Sequence, residues 1–476
     1  MNIWKYLYIA LLLLSVSTRS FAQQYSNYRE KMLSREQLIR DYSILYSALT
    51  NYHPAPFMYT PEAEFKAFYE AQAAAFPDSL SERAFHILVR HLIVQLKCGH
   101  TVGKPSDAWY QSLAGKKVLL PFEIRRVGEQ FYISNTTEDA TELQVNDELL
   151  RINGIAIQDI LRQMADIQER DGLTRSFVEV GIIKRFRMYY LFLYGIPEQI
   201  TIEYKNQQGE LRRCNTSLSL NKLRPLPPLA LPPGFQTIYQ NDWSVFAVDT
   251  QTRLAYLKIR SFSDRKSYKT YYKQVFKAMS EQQCTELLID IRDNGGGFFK
   301  NGHIFLRYLS PEKFEFNFQR PIRKITKNEY TSLGRISKMT KRAFALKPQK
   351  HKHKGQRTYT FSYKPHELRF KGKVHVLQNG ITFSQAALVS AHLRAHNARF
   401  WGAESGGTES GTNAMLNYKL VLPNSGIQVQ IPYYRMVSNS TGGTFGFGVK
   451  ADVPIAPGLD GSRDEVLYKV IEGIKR

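Results

Sequence analysis

Ser384 follows the turn Gln378-Asn-Gly-Ile-Thr-Phe383 and stands where a helical pattern, Gln385–His396, begins. At a helix start, free backbone N–H groups and the positive end of the dipole favour an oxyanion. A hydroxyl held there can attack a carbonyl, with the Gln385 N–H as one oxyanion donor. A second donor would come from the turn Gly295-Gly-Gly297, where absent side chains let a substrate carbonyl approach closely. The same position also suits a serine that only caps the helix. A nucleophilic serine needs a base, usually histidine or lysine. No lysine lies between Lys373 and Lys419, which excludes one just after the Ser384 helix. His100, in Cys98-Gly-His-Thr101, closes a helical segment and is rigidly mounted there, although a histidine near a helix end also serves as a cap or a surface residue.

Two strand-to-helix units position the serine and the glycine turn. Leu287–Ile291 and Val374–Leu377 are short apolar runs that break into Gly/Asn turns and pass into helical patterns. Such units leave ligand sites in the crevice beyond the strand ends. Around them the second half reads α/β, with a strand at Leu254–Ile259, a helix at Tyr268–Met279, and strands Leu416–Leu422 and Ile427–Ile431 joined by the loop Pro423-Asn-Ser-Gly426. His100 ends the third of three N-terminal helices. The first opens on a capping box, Ser34-Arg-Glu-Gln37, the second on Thr60-Pro61, and the third on Ser81, with Gly99 as its C-terminal cap residue. Between these halves, Val118–Lys205 alternates in short runs and reads as a small β-rich module with one or two helices. Leu223–Phe235 carries five prolines in thirteen residues, which suits a linker.

Composition excludes several classes. At 476 residues with 43% hydrophobic and 22% charged content, the chain is globular and long enough for two or three domains. Lys5, the apolar run Tyr6–Val16 and Ser20-Phe-Ala22 form an export signal, 1–22. Three cysteines, Cys98, Cys214 and Cys284, are too few for a disulfide scaffold, and no Cys/His spacing suggests a metal site. The net charge of +23 is concentrated at 320–373, with seventeen Lys/Arg against two acids. This stretch reads as a solvated surface or as a platform for anionic envelope components. Nucleic acid is disfavoured, because no recognition motif appears.

Together these residues resemble the tail-specific, or C-terminal processing, family of serine peptidases, which includes the tricorn protease core and the interphotoreceptor retinoid-binding modules. Leu288-Ile-Asp-Ile-Arg-Asp-Asn-Gly-Gly-Gly297 is similar to its glycine turn, Gly380-Ile-Thr-Phe-Ser384 to its nucleophile turn, and Lys97-Cys-Gly-His-Thr101 to the element ending its N-terminal helices. Trp401-Gly402, Glu404-Ser-Gly-Gly407 and Gly448-Val-Lys-Ala-Asp452 resemble downstream signatures, and Leu119–Leu161 resembles its PDZ-like module. The resemblance implies an α/β, crotonase-like or ClpP-like peptidase core at 236–476. It places an N-terminal helical region at 23–106, a PDZ-like β-rich module at 107–222 and the linker at 223–235.

The family uses a Ser/Lys or a Ser/His arrangement. The Glu404–Thr412 loop, where the dyad lysine would fall, contains none. The resemblance therefore implies Ser384 as nucleophile, His100 as base, and the Gly296 and Gln385 N–H groups as oxyanion hole. Thr441–Gly448 lacks the acid that would orient the histidine, leaving Glu404, Ser438 or Asn439 as candidates. The implied activity is that of an exported serine endopeptidase or C-terminal processing peptidase. It would be periplasmic or secreted, act on peptides or proteins through an acyl-enzyme, and need no metal or organic cofactor. The alternatives are a catalytically weak or inactive binding protein on the same scaffold, or an envelope protein that binds anionic partners through 320–373.

Overall fold

Apolar runs too short for helices but free of turn residues become the strands of a seven-stranded sheet. Its order is Phe235–Gln240, Ser244–Asp249, Leu254–Ile259, Glu286–Asp290, Lys373–Gln378, Arg399–Gly402, Val453–Pro454. The first three pair antiparallel, and from Leu254–Ile259 onward every pair is parallel. Parallel strands covered on both faces are apolar at consecutive positions. Leu287 and Ile289 accordingly face the main core while Leu288 faces a smaller one, built with Leu467, Val470 and Ile471 of the C-terminal helix Glu465–Lys475. The computed structural model describes residues 30–114, 118–225, 230–322, 328–345, 350–353, 355–438, 443–458 and 463–476. The expected export signal, 1–22, lies outside them.

A second, antiparallel sheet runs Thr331–Leu333, Gly411–Val421, Gln428–Val437, Phe314–Pro321, Gln356–Tyr363, Lys350–His353, with Val102–Lys104 also pairing onto Gln428–Val437. Much of the basic 320–373 stretch is thus sheet and helix (Arg335–Ala345), and Arg320 stacks over Tyr433 while bonding its hydroxyl at 2.7 Å.

The first and third N-terminal helices form as their caps dictate, whereas the second, Glu62–Ala74, starts just after Pro61 with no side-chain cap bond. Ser34 completes a capping box for Arg35–Tyr52, and Ser81 caps Glu82–Val94. They are not a separate region, because Leu38, Leu45, Phe85 and Leu92 join the same apolar core as Ile289 and Leu388. Buried Asp41 accepts from the backbone N–H groups of Asn424 and Ser425 at 3.0 and 2.7 Å, which fastens the first helix to the hairpin loop of the second sheet.

The β-rich module has its own core around Phe122, Ile133, Leu149 and Ile202. Its sheet runs Phe122–Val127, Gln130–Thr136, Glu148–Ile152, Ile200–Lys205, Leu211–Thr216. It carries three helices, Ile157–Asp166, Ser176–Lys184 and Phe186–Tyr194, where one or two were expected. The last is apolar nearly all round, so its sequence shows no helical stripe. The expected linker is shorter than 223–235, since Leu223 bridges to Thr137 and Phe235 already belongs to the central sheet.

Candidate active site

The two strand-to-helix turns are laced together. Ile291 N–H donates to Leu377 O at 2.9 Å, Thr382 Oγ1 to Ile291 O at 2.9 Å, and Phe383 N–H to Asn294 O at 3.0 Å. Asp290, fully buried at the end of its strand, accepts from Lys258, Tyr256 and Arg292, and Arg292 bridges onward to Asp464. Although burial opposes its charge, the neighbouring Arg292 and Lys258 hold the Asp290 carboxyl well below its ordinary range.

This lacing holds Ser384 at φ +53°, ψ −124°. A non-glycine residue reaches that region only under constraint. The Ser384 side chain makes no capping bond to its helix, Gln385–Ala395, so the capping alternative does not describe it. Its Oγ lies instead 3.0 Å from His100 Nε2.

His100 is not at a helix end. The helix Glu82–Val94 stops earlier, the chain turns through Lys97 at φ +49°, and His100 sits in the following loop, one turn before the strand Val102–Lys104. Its ring stacks on Phe383 with centroids 4.7 Å apart. Burial lowers the His100 pKa, and the negative charge of Asp171 acts the other way.

The far side of the ring meets a residue that sequence reasoning missed. Thr412 Oγ1 is 3.1 Å from His100 Nδ1 and donates at 2.6 Å to Asp171 Oδ2, while Gly99 N–H donates to Asp171 Oδ1 at 2.8 Å. Asp171 and Thr412 are both buried. Burial raises the Asp171 pKa, with His100, the hydrogen bonds and Arg435 opposing. None of the expected orienters is the recorded partner of His100 Nδ1. The Glu404 carboxylate accepts from Gly448 N–H at 2.7 Å, Ser438 N–H donates to Ser410 O at 3.4 Å, and Asn439 lies outside the described residues.

The glycine turn presses on the serine. A Cβ on Gly296, at φ +98°, would lie 2.7 Å from Ser384 Cβ and 2.8 Å from Gln385 N. Gln385 N–H has no acceptor among the described residues. Gly296 N–H, expected as the second oxyanion donor, donates to Asn294 Oδ1 at 2.9 Å, because the buried amide closes an Asx turn over the glycines. Among the described residues no group of three or more His, Cys, Asp or Glu is placed to hold a metal ion.

Residues 253–455 match the profile of Peptidase family S41, and residues 116–222 match that of a PDZ domain. The chain carries an S41 peptidase domain. The family places it among the serine peptidases, hydrolases acting on peptides or proteins. Among solved structures, mature CPAF complexed with lactacystin is similar with a TM-score of 0.67 at 14% identity, over 93% of this chain and 98% of that one. A CPAF serine-to-alanine mutant gives 0.65 at 14% identity, over 93% and 96%. The photosystem II D1 C-terminal processing protease gives 0.43 at 15% identity, over 92% and 97%. At these identities the CPAF likeness establishes the fold that the S41 domain shares with it. No curated protein sequence matches the chain.

The S41 span contains Ser384, Gln385, Gly296 and Thr412, whereas His100 precedes it and Asp171 falls in the PDZ-matched stretch. The sequence offered little sign of Asp171, which stands in Gln168-Glu-Arg-Asp171, a run that reads as solvated. The glycine and threonine that follow it, Gly172 and Thr174, are the one local hint of a tight buried turn. Thr174 Oγ1 indeed bonds to Gly406 O at 3.2 Å.

Proposed function

We propose that this chain is an exported serine endopeptidase or C-terminal processing peptidase working through an acyl-enzyme on Ser384. The observation that carries the reading is the 3.0 Å contact between Ser384 Oγ and His100 Nε2 at a serine with strained backbone. As Oγ attacks a peptide carbonyl carbon, its proton passes to Nε2. The developing oxyanion turns toward the Gln385 N–H, which has no acceptor among the described residues, and toward the glycine turn, where Gly296 can share its hydrogen once the Asn294 amide yields. The imidazolium then gives its proton to the departing amine, the C–N bond breaks, and water, deprotonated by the same imidazole, hydrolyses the ester. The PDZ-like module presents the peptide or its C-terminus by strand addition. Export to the periplasm or beyond rests on Lys5, Tyr6–Val16 and Ser20–Ala22.

A fluorophosphonate probe tests this on the purified protein. Labelling is expected on wild type and absent in Ser384→Ala, with His100→Ala slowed by at least about 100-fold. Wild type that fails to label would leave the weaker reading, a binding protein on a peptidase scaffold. That reading is favoured by the single fact that Gly296 N–H is engaged by Asn294.

A further inference from the structure

We propose that Asp171, acting through the Thr412 hydroxyl, is the positioning carboxylate that keeps the His100 proton on Nδ1 and the lone pair on Nε2. This rests on the Ser384–His100 reading above and names the group that makes the imidazole a base of defined tautomer.

The direction of the relay follows from what each group can do. An ionised carboxylate only accepts hydrogen bonds. Asp171 Oδ1 is taken by Gly99 N–H at 2.8 Å, and Oδ2 lies 2.6 Å from Thr412 Oγ1. The one hydroxyl proton of Thr412 must therefore point at Oδ2, which leaves its oxygen facing His100 Nδ1 at 3.1 Å as an acceptor. A ring that donates from Nδ1 has a free lone pair at Nε2, the atom facing Ser384 Oγ. When Nε2 takes the serine proton, the same relay sets the Asp171 charge against the imidazolium without moving any heavy atom. The charged and titratable groups facing Asp171 are His100, Arg435 from Gln428–Val437, and the Cys98 thiol.

Backbone bonds outside the relay hold its members to one another. Gly172 N–H donates to Lys97 O at 2.8 Å and Leu173 N–H to Gly446 O at 2.6 Å, so the Asp171 loop is stitched both to the His100 loop and to the chain after the second sheet. Thr412 lies in a strand whose partner, Gln428–Val437, also pairs with Val102–Lys104 beside His100.

Asparagine cannot replace Asp171. Its one carbonyl oxygen can satisfy Gly99 N–H or Thr412, but not both. If it takes Gly99, its NH₂ donates to Thr412, whose proton then turns to Nδ1 and moves the imidazole proton to Nε2. Asp171→Asn and Thr412→Val are each expected to lower both kcat/KM on quenched-fluorescent casein and the fluorophosphonate labelling rate by about 100-fold. Thr412→Ser, which keeps the hydroxyl, is expected to stay within about threefold of wild type. Because the carboxylate favours the imidazolium, its loss in Asp171→Asn should also move the acid limb of kcat/KM to lower pH, a shift that a purely structural role would not produce. The proposal is overturned if Thr412→Val stays within about threefold of wild type, if Thr412→Ser is as impaired as Thr412→Val, or if a folded Asp171→Asn keeps full rate. Should Asp171→Asn fail to fold, the two Thr412 variants decide alone. Full activity in His100→Ala would instead remove the underlying reading.

Discussion

Gly296 and Gly295 are adjacent and chemically identical, yet their positions give them opposite tolerances. Gly296, at φ +98°, turns its missing Cβ toward Ser384 Cβ at 2.7 Å, while a Cβ on Gly295 meets nothing within 4 Å. Alanine at 296 carries left-handed strain of roughly 1–3 kcal/mol. Its methyl also displaces a serine that cannot retreat without leaving its own constrained turn. Gly296→Ala is therefore expected to cut fluorophosphonate labelling by about 100-fold, the scale of a misplacement near 1 Å, and Gly295→Ala to change it less than about threefold. Equal losses in the two variants would show that the turn acts as a whole and not through this contact. At this scale the sequence was informative where chemistry marks itself, in a serine after Gly/Thr at a helix start and a histidine after glycine. It was silent on Thr412 and gave Asp171 only the hint of Gly172 and Thr174 after it, because an aspartate in a charged run and a threonine in a strand have ordinary solvated roles. Only tertiary packing buries them against one imidazole.

Between elements, Arg90 joins four segments. From the middle of Glu82–Val94 its guanidinium donates to Ile167 O at 2.9 Å, Gly103 O at 3.1 Å, Glu169 Oε2 at 2.9 Å and Tyr189 Oη at 2.8 Å. It thus ties the strand after His100 to the segment that delivers Asp171. The Arg90–Glu169 pair is almost wholly buried, with side chains 3% and 5% exposed. Removing one member of such a pair leaves an uncompensated charge and costs about 3–5 kcal/mol. Arg90→Met should lower the urea midpoint accordingly. Because the His100 and Asp171 loops lose their common brace, it should also slow labelling of the protein that remains folded. Unchanged labelling in folded Arg90→Met would show that the two loops are held without it. Elements with caps or strong periodicity were legible, as were the central parallel strands. The antiparallel strands Phe314–Pro321 and Gln356–Tyr363 went unread although Phe314, Phe316, Phe318, Tyr359 and Phe361 alternate with polar residues and are buried, because the basic 320–373 stretch beside and around them reads as a solvated surface. The stop at Val94 was misread because Gly99 looked like the cap, whereas Lys97 supplies the positive φ.

Across the whole molecule, the site is assembled from five stretches apart in sequence, at His100, Asp171, Gly296, Ser384 and Thr412, so the common core that joins them bears on function. That core and its neighbour contain buried histidines. Burial lowers His86 and His392 to about 3 and holds His303 well below the ordinary histidine value. A histidine neutral when folded but protonated when unfolded destabilises the fold as pH drops below about 6.5, by about 1.4 kcal/mol per pH unit, down to its folded value. Asp147, Asp166, Asp171 and Glu404, whose pKa values burial raises, act with the opposite sign. The histidine contribution is therefore isolated by difference. His392 contacts Ser310 Oγ at 2.6 Å through Nε2, and glutamine offers an uncharged amide of similar reach. Urea unfolding of wild type and His392→Gln between pH 7 and 4.5 should show the variant losing stability more slowly, by about 1.4 kcal/mol per unit. Parallel curves would mean that His392 takes up its proton in the folded protein. The burial that lowers its pKa would then be relieved by local opening of the packing around Phe314 and His396, the rings it touches.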